Sequence, residues 1–134
     1  MLASRVFDAS VLVAVLVRAD AGAEVGRREL SSSIPASPHG VDLEVLHALR
    51  GRWLGGKLSA DRLELSARAL GSLPVARYPV HRLAGRILEL RHNLTAYDAS
   101  YVALAESLDA ELVTFDRGMA AVPGARCRIR LLER

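Results

Sequence analysis

Four carboxylates stand where a carboxylate is normally avoided. Asp8 ends the apolar run Arg5-Val6-Phe7, just before Val11-Leu12-Val13, and Asp116 does the same after Leu112-Val113-Thr114-Phe115. If both runs are strands of a parallel sheet, the two aspartates can face one crevice, because ligands bind outside the carboxyl ends of such strands. Asp98 lies one helical turn before Val102 and two before Ala105, on the apolar face of its helix. Glu44 falls between Val41 and Val45/Ala48, so its side chain points partly into an apolar stripe. A buried, unpaired carboxylate costs several kcal/mol or changes its protonation. Glu44 therefore wants a partner, for which Arg50 and Arg52 are available and a divalent cation is better.

The three aspartates also have local explanations. Aspartate is a favoured helix cap, and both Asp8 and Asp116 precede helical sequence. Thr95-Ala96-Tyr97-Asp98 matches a capping box. No cap accounts for Glu44. Taken together, four inward carboxylates would repel one another, and a hard divalent cation with oxygen ligands relieves that repulsion. Mg²⁺ or Mn²⁺ follows from the ligand type. His39, His47, His81 and His92 show no paired spacing, which disfavours zinc, and the single Cys127 offers neither a disulfide nor a thiolate pair. An all-carboxylate set in a basic chain points to phosphodiester chemistry, in which metals activate water and neutralise the phosphate.

Net charge is +3, from 18 basic and 15 acidic residues. Setting the four acids aside leaves 11 acids against 18 bases, an acidic pit in a basic surface that would draw in a polyanion. All the bases but Lys57 are arginine. Arginine suits bidentate phosphate recognition, and a GC-rich genome explains the same bias equally well. The remaining acids, including Glu24, Glu29, Asp61, Glu64, Glu89, Glu106 and Glu133, read as solvated helix or tail positions.

The elements that must position the four acids alternate between strand and helix. The first strand is followed by helices over Ser10–Arg18 and about Ala21–Leu30. A brief strand lies within Ser31–Ala36, before a loop at Pro38-His39-Gly40. Val41–Leu54 is a helix stopped by Gly55-Gly56, and Ser59 caps the next one, which runs towards Gly71. An extended piece over Leu73–Pro79 precedes a helix over His81–Leu90. Thr95 caps a helix over Ala96–Leu108, Glu111–Phe115 is a buried strand, and a short turn or helix runs to Ala121. Cys127–Leu132 makes a final strand. Strands separated by helical segments indicate an α/β protein with helices on both faces of a mostly parallel sheet. Its 134 residues fit one domain, and with only 4% aromatics the core must be built from Leu, Val and Ala. No run of about 18 apolar residues exists and Val11–Val17 lacks the flanks of a signal peptide, so a cytoplasmic protein without a membrane span is expected.

Phe7-Asp8-Ala9-Ser10, Glu44 in a mid-chain helix, the segment from Thr95 to Ala105, and Val113-Thr114-Phe115-Asp116-Arg117 together resemble the PIN-domain signature. The order of the acids and their separations of 36, 54 and 18 residues suit that family, over nearly the whole chain. Size and motif detail resemble the VapC-type toxins of toxin–antitoxin pairs. The resemblance implies a three-layer α/β/α sandwich over residues 1–134. It implies an Mg²⁺- or Mn²⁺-dependent endoribonuclease acting on tRNA or rRNA, a homodimer, and a small inhibiting antitoxin. Asp8, Glu44, Asp98 and Asp116 would be the catalytic and metal-binding acids, with Ser10 and Thr114 orienting them through hydrogen bonds.

Arg18, Arg91 and Arg117 adjoin the motif segments and are candidates for holding the RNA backbone, as are His92, Arg50, Arg52 and Lys57; any one of them can equally be solvated surface. Tyr97 and Trp53 offer stacking surfaces, but core packing is the stronger expectation for both. The competing functions are a non-catalytic PIN-like module, a PIN nuclease of RNA processing, a nuclease for single-stranded DNA, and a receiver- or phosphatase-like protein. A receiver would want a late lysine, and an aspartyl phosphatase an Asp-x-Asp pair after the first strand. Neither is present.

Overall fold

The computed structural model describes all 134 residues, Met1–Arg134. Five strands form one sheet: β1 (Ser4–Phe7), β2 (Ile34–Pro38), β3 (Ala76–Tyr78), β4 (Glu111–Thr114) and β5 (Ile129–Leu131). Their order is β3-β2-β1-β4-β5, and every neighbouring pair is parallel. β1 lies at the centre with β4 beside it, in a register that sets Phe7 opposite Val113. Asp8, just past β1, and Asp116, just past β4, therefore emerge at the same end of adjacent strands.

Helices α1 (Ala9–Leu16), α2 (Ala23–Ser31), α3 (Val41–Leu54) and α4 (Ala60–Ser72) connect β1 to β2 and β2 to β3. The return from β3 to β4 runs in the opposite direction across the sheet, through α5 (Ala84–Glu89) and α6 (Ala96–Ser107). Right-handed crossovers in opposite directions must cover opposite faces. Accordingly α1 packs on α2, α3 and α4, while α6 packs on α5 and on the strands β1, β2 and β4. The result is the expected three-layer sandwich, with α7 (Arg117–Ala120) a single turn leading to β5.

The core follows the aliphatic composition. Val6, Phe7, Leu112 and Val113 of the central strands are fully buried, as are Val11 and Leu12 of α1 and Val41, Val45 and Leu49 of α3. On the face opposite α1 and α3, every residue of α6 from Ala99 to Ala105 is buried. Alanines and valines here let the helix lie close to the sheet, which is why aromatic side chains are not needed to fill the layer.

Proline decides the weaker boundaries. Pro35 sits inside β2, a strand with neighbours on both sides, yet the pairing with β3 begins only at Ala36. At Pro35 the strand therefore has a single neighbour, the edge position at which a missing N–H is tolerated. The extended segment Leu73–Pro79 narrows to Ala76–Tyr78 between its two prolines. The single helix expected over His81–Leu90 is instead a 3-10 turn, His81–Leu83, running into α5. Gly85 in the first turn of α5 weakens the continuous α-helix that periodicity alone suggests.

Candidate active site

Asp8 occupies the N-cap position of α1 but makes no capping hydrogen bond with its side chain. Its carboxylate is held from two other directions. The Ser10 hydroxyl donates to Oδ1 and the Thr114 hydroxyl to Oδ2, each at 2.5 Å. Both hydroxyls are themselves fixed: Ser10 Oγ accepts from the Phe115 amide at 3.0 Å, and Thr114 Oγ1 from the Asp116 amide at 2.9 Å. The ends of β1 and β4 are thus laced through one carboxylate. Asp8 is only 5% exposed, and burial pushes its pKa up. The two hydroxyls and the nearby Val11 amide pull it down, and the Asp116 charge adds to the rise.

Asp116 is exposed and does cap its helix, its Oδ1 accepting from the amides of Gly118 at 2.8 Å and Met119 at 3.3 Å. The capping role expected of it is real, and it leaves Oδ2 without a donor. Asp98 is half-buried on α6. Thr95 accepts from the Asp98 amide at 3.2 Å, but the Asp98 carboxylate does not reach back, so only half of the capping box forms. That carboxylate receives no hydrogen bond from the chain. Burial raises its pKa, and the charge of Asp116 raises it further.

Glu44 finds a partner that the sequence did not single out. Neither Arg50 nor Arg52 pairs with it; the buried Tyr101 hydroxyl donates to Oε1 at 3.0 Å. Tyr101 stands one helical turn after Asp98 on α6, and a buried tyrosine hydroxyl ordinarily needs an acceptor, which is the signal that could have found it. Burial raises the Glu44 pKa against this hydrogen bond, and the charges of Asp98 and Asp8 raise it more. Burial and the same three acids, Glu44 foremost, hold the Tyr101 hydroxyl protonated far above the usual tyrosine range.

The charge of Asp116 thus reaches Asp8 and Asp98, and theirs reach Glu44, although the four acids come from four separate elements. No three of the Asp, Glu, His and Cys side chains are grouped closely enough to hold an ion by direct contact alone. The donor set nonetheless fits a hard divalent cation: every ligand is a carboxylate oxygen, and Asp98 and Asp116 keep oxygens without protein donors. Mg²⁺ in particular retains several waters and needs only one or two direct carboxylates.

The neighbouring residues divide. Arg117, beside Asp116, is 82% exposed, with Glu133 3.9 Å away. Arg91 is exposed at the end of α5 and donates to the Leu88 carbonyl. Arg18 lines a different cavity, with Arg62, Leu65 and Ser66 of α4. Core packing, expected for Tyr97 and Trp53, does not hold: Tyr97 is 69% and Trp53 43% exposed. Tyr97 shares a cavity of about 520 Å³ with Gly40, Leu43, Glu44 and His47, directly beside the acids. Its helical neighbours Asp98 and Ala99 take the inward positions, which leaves Tyr97 on the outer face.

The model of the PIN domain matches residues 5–125. The chain belongs to the PIN-domain family. It is 44% identical to Ribonuclease VapC1 of Mycobacterium tuberculosis over 96% of this chain and 97% of that one. With Ribonuclease VapC9 of the same organism it shares 40% over 96% and 98%. These relatives make it a VapC-type member. Among solved structures, PAE2754 from Pyrobaculum aerophilum superposes with a TM-score of 0.68 at 26% identity, covering 96% of this chain and 83% of the other. VapC20 of M. tuberculosis, described as a sarcin–ricin loop cleaving toxin, gives 0.67 at 21% identity over 87% and 93%. At that identity the likeness speaks for the fold.

Proposed function

We propose that this VapC-type chain is a divalent-metal-dependent endoribonuclease toxin that hydrolyses RNA at the crevice between β1 and β4. The observation that carries the reading is the convergence of Asp8, Glu44, Asp98 and Asp116 from four elements, with their charges raising one another's pKa and no arginine of the chain paired to them. The curated relatives are named ribonucleases. A divalent ion bound there, Mg²⁺ or Mn²⁺, supplies Lewis-acid activation of water and neutralises charge on the phosphate.

The chain's own part is placement. Ser10 and Thr114 fix both oxygens of Asp8, Tyr101 fixes Glu44, and the amides of α7 fix Asp116. Asp98 stays unbonded on the rim. Ser10 is tied up as donor to Asp8 and acceptor from the Phe115 amide, so water rather than a side chain is the proposed attacking group. Tyr97 presents an exposed ring beside Glu44, suited to stacking an unpaired base, which favours single-stranded or looped RNA.

A small antitoxin is the proposed inhibitor; one structural neighbour is titled a toxin–antitoxin complex from Klebsiella pneumoniae. Leu43, Leu46, Trp53 and Leu54 leave an apolar stripe on the outside of α3 that supports a homodimer. No helix is long and apolar enough to cross a membrane, which accords with the proposed cytoplasmic location.

Purified protein is expected to cut tRNA and looped rRNA fragments with Mg²⁺ or Mn²⁺ and to stop on chelation. Attack by water rather than by the ribose 2′-hydroxyl leaves no 2′,3′-cyclic phosphate, which end-group analysis of the fragments detects. Cleavage that survives chelator, or that yields cyclic ends, would count against this mechanism. Cleavage of single-stranded DNA alone would move the chain to the DNA nucleases.

Thr114→Val keeps the shape of the strand end while removing the donor to Asp8 and the acceptor of the Asp116 amide. A hydrogen bond to a charged group contributes about 1.5–3 kcal/mol, so kcat is expected to fall by about 10- to 100-fold. Far-UV circular dichroism should show the fold retained. An unchanged kcat would remove Thr114 from the machinery.

A further inference from the structure

Asp20, in the loop between α1 and α2, has a side chain only 6% exposed, yet it serves no catalytic acid. Its Oδ1 accepts from the Gly22 amide at 2.8 Å and from Arg134 Nε at 3.3 Å, and its Oδ2 from Arg52 at 3.0 Å. Three distant parts of the chain meet on this one buried carboxylate. Arg134 is held a second time, with its guanidinium 4.4 Å over the centre of the Phe115 ring. That ring is fixed in turn by Gly22, where a Cβ would lie 2.5 Å from Phe115 Cζ. Phe115 stands between Thr114 and Asp116, so this assembly abuts the acidic crevice.

The two arginines remain reachable, at 32% and 45% side-chain exposure. Each donates a single hydrogen bond within the chain, out of the five N–H donors a guanidinium carries. Together they line a cavity of about 310 Å³ that also contains Ser10 and Glu44. An exposed ion pair that merely decorates a surface has no need of a buried anchor, and it contributes little. Here one carboxylate orders two cations whose remaining N–H donors face a cavity next to the acids.

We propose that Arg52 and Arg134 form a phosphate subsite that holds the RNA backbone beside the bond being cut. This proposal rests on the ribonuclease reading. The pair shares its cavity with Ser10 and Glu44, and not with Asp98 or Asp116. The phosphate it takes is therefore a flanking one, to one side of the acids, while Tyr97 with His47 and Leu43 lies on the other side of Glu44. Planar forks pre-set by Asp20 and Phe115 suit bidentate contact with phosphate oxygens at little ordering cost.

The test uses the full chain carrying Asp8→Asn, so that binding can be read without cleavage. Arg52→Met, Arg134→Met and their combination are titrated against fluorescein-labelled single-stranded RNA over a range of salt. Arg128→Met, an exposed position near the start of β5, is the control. In the double variant, loss of charge-assisted contacts should weaken binding by about 10-fold. Its log Kd against log salt should become shallower by about 0.7, the value for one phosphate on a single strand. With Asp8 restored, KM should rise by about 10-fold while kcat stays within about twofold, the signature of lost uniform binding. Arg134→Lys should recover part of the affinity, and because Arg134 lies outside every helix and strand, Arg134→Met alone tests the idea if the double variant melts. Affinity and salt slope equal to those of the control would overturn the subsite and leave the pair to a protein partner. A fall in kcat at unchanged KM would overturn it as well, because the pair would then be acting on the acids. If the parent chain neither binds nor cuts RNA, it is the ribonuclease reading that fails.

Discussion

Replacing Asp8 with asparagine is expected to abolish RNA cleavage while raising the midpoint of thermal unfolding. Activity should fall by about 10³-fold or more, because the most buried of the four acids loses its charge and with it both a proposed metal ligand and part of the field at the crevice. The fold should tolerate the change. Asparagine is isosteric, its carbonyl oxygen can accept from one of the two hydroxyls, and its amide can donate to the other. Stability should rise because burial, and to a lesser degree Asp116, opposes a charge on Asp8. Its pKa is higher folded than unfolded. Its stabilising contribution is therefore complete below the unfolded value of 3.8 and is lost as pH rises through the raised folded value. Above that folded value the wild-type protein carries the penalty and the variant does not. A gain of ~1 kcal/mol would appear as a shift of a few degrees in a domain of this size. Mg²⁺ should raise the midpoint of the wild type more than that of the variant, since a ligand stabilises only the state that binds it. Retained cleavage would remove Asp8 from the chemistry. A lower midpoint would make the carboxylate a structural tie between β1 and β4 instead.

The residues that a short window can judge were legible in advance. Val41–Leu54 is a helix with those bounds, Ser59 caps α4 through the Arg62 amide, and Asp8 and Asp116 stand at the ends of adjacent parallel strands. Helical periodicity also placed Glu44 on an inward face. What it could not supply was the partner, because periodicity fixes the face a residue shows and not what lies across from it. Tyr101 meets Glu44 across 57 residues, and Asp20 gathers Arg52 and Arg134 across 32 and 114.

The same limit explains two acids that were read as solvated. Glu29 and Glu106 have side chains only 14% and 13% exposed. Glu29 binds Arg5 and Arg130, each at 3.0 Å, and thereby joins α2 to β1 and β5. In this chain part of the arginine excess is spent on internal pairing, so the surplus of bases in the composition overstates the charge left free to meet a polyanion. Exposed aromatics misled in the opposite direction. Core packing is the stronger expectation for Tyr97 and Trp53, whereas Tyr97 lies exposed beside Glu44 and Trp53 lies exposed on the outer stripe of α3.

Glu106→Ala is expected to cost about 2–4 kcal/mol of stability while leaving kcat of the folded protein unchanged. Arg86 grips Glu106 bidentately, with Nε 2.7 Å from Oε1 and a terminal nitrogen 3.0 Å from Oε2. The Arg126 amide adds a third bond at 2.7 Å, and Arg86 also donates to the Gly124 carbonyl at 2.7 Å. One carboxylate on α6 therefore fastens both α5 and the turn that delivers β5. Burial by itself would raise the Glu106 pKa, but the bonds and charges of Arg86 and Arg126 outweigh it and hold the pKa low. The stabilisation is thus present above the ordinary glutamate value of 4.5 and is lost as pH falls through the depressed folded value. Urea unfolding followed between about pH 7 and 3 should show a steep acid loss in the wild type and a flatter profile in the variant. Truncating Glu106 leaves the Arg86 guanidinium, 18% exposed, with only the more exposed Glu89 at 3.4 Å as a counter-charge, which is the main source of the cost. The double change Arg86→Met/Glu106→Leu should accordingly be milder than Glu106→Ala, since it strands no charge and the exposed Arg126 amide can turn to water. If the double variant were instead the sum of the two single ones, the pair would be two independent surface contacts, and β5 would be held by its strand pairing with β4 and the ion pairs of Arg130.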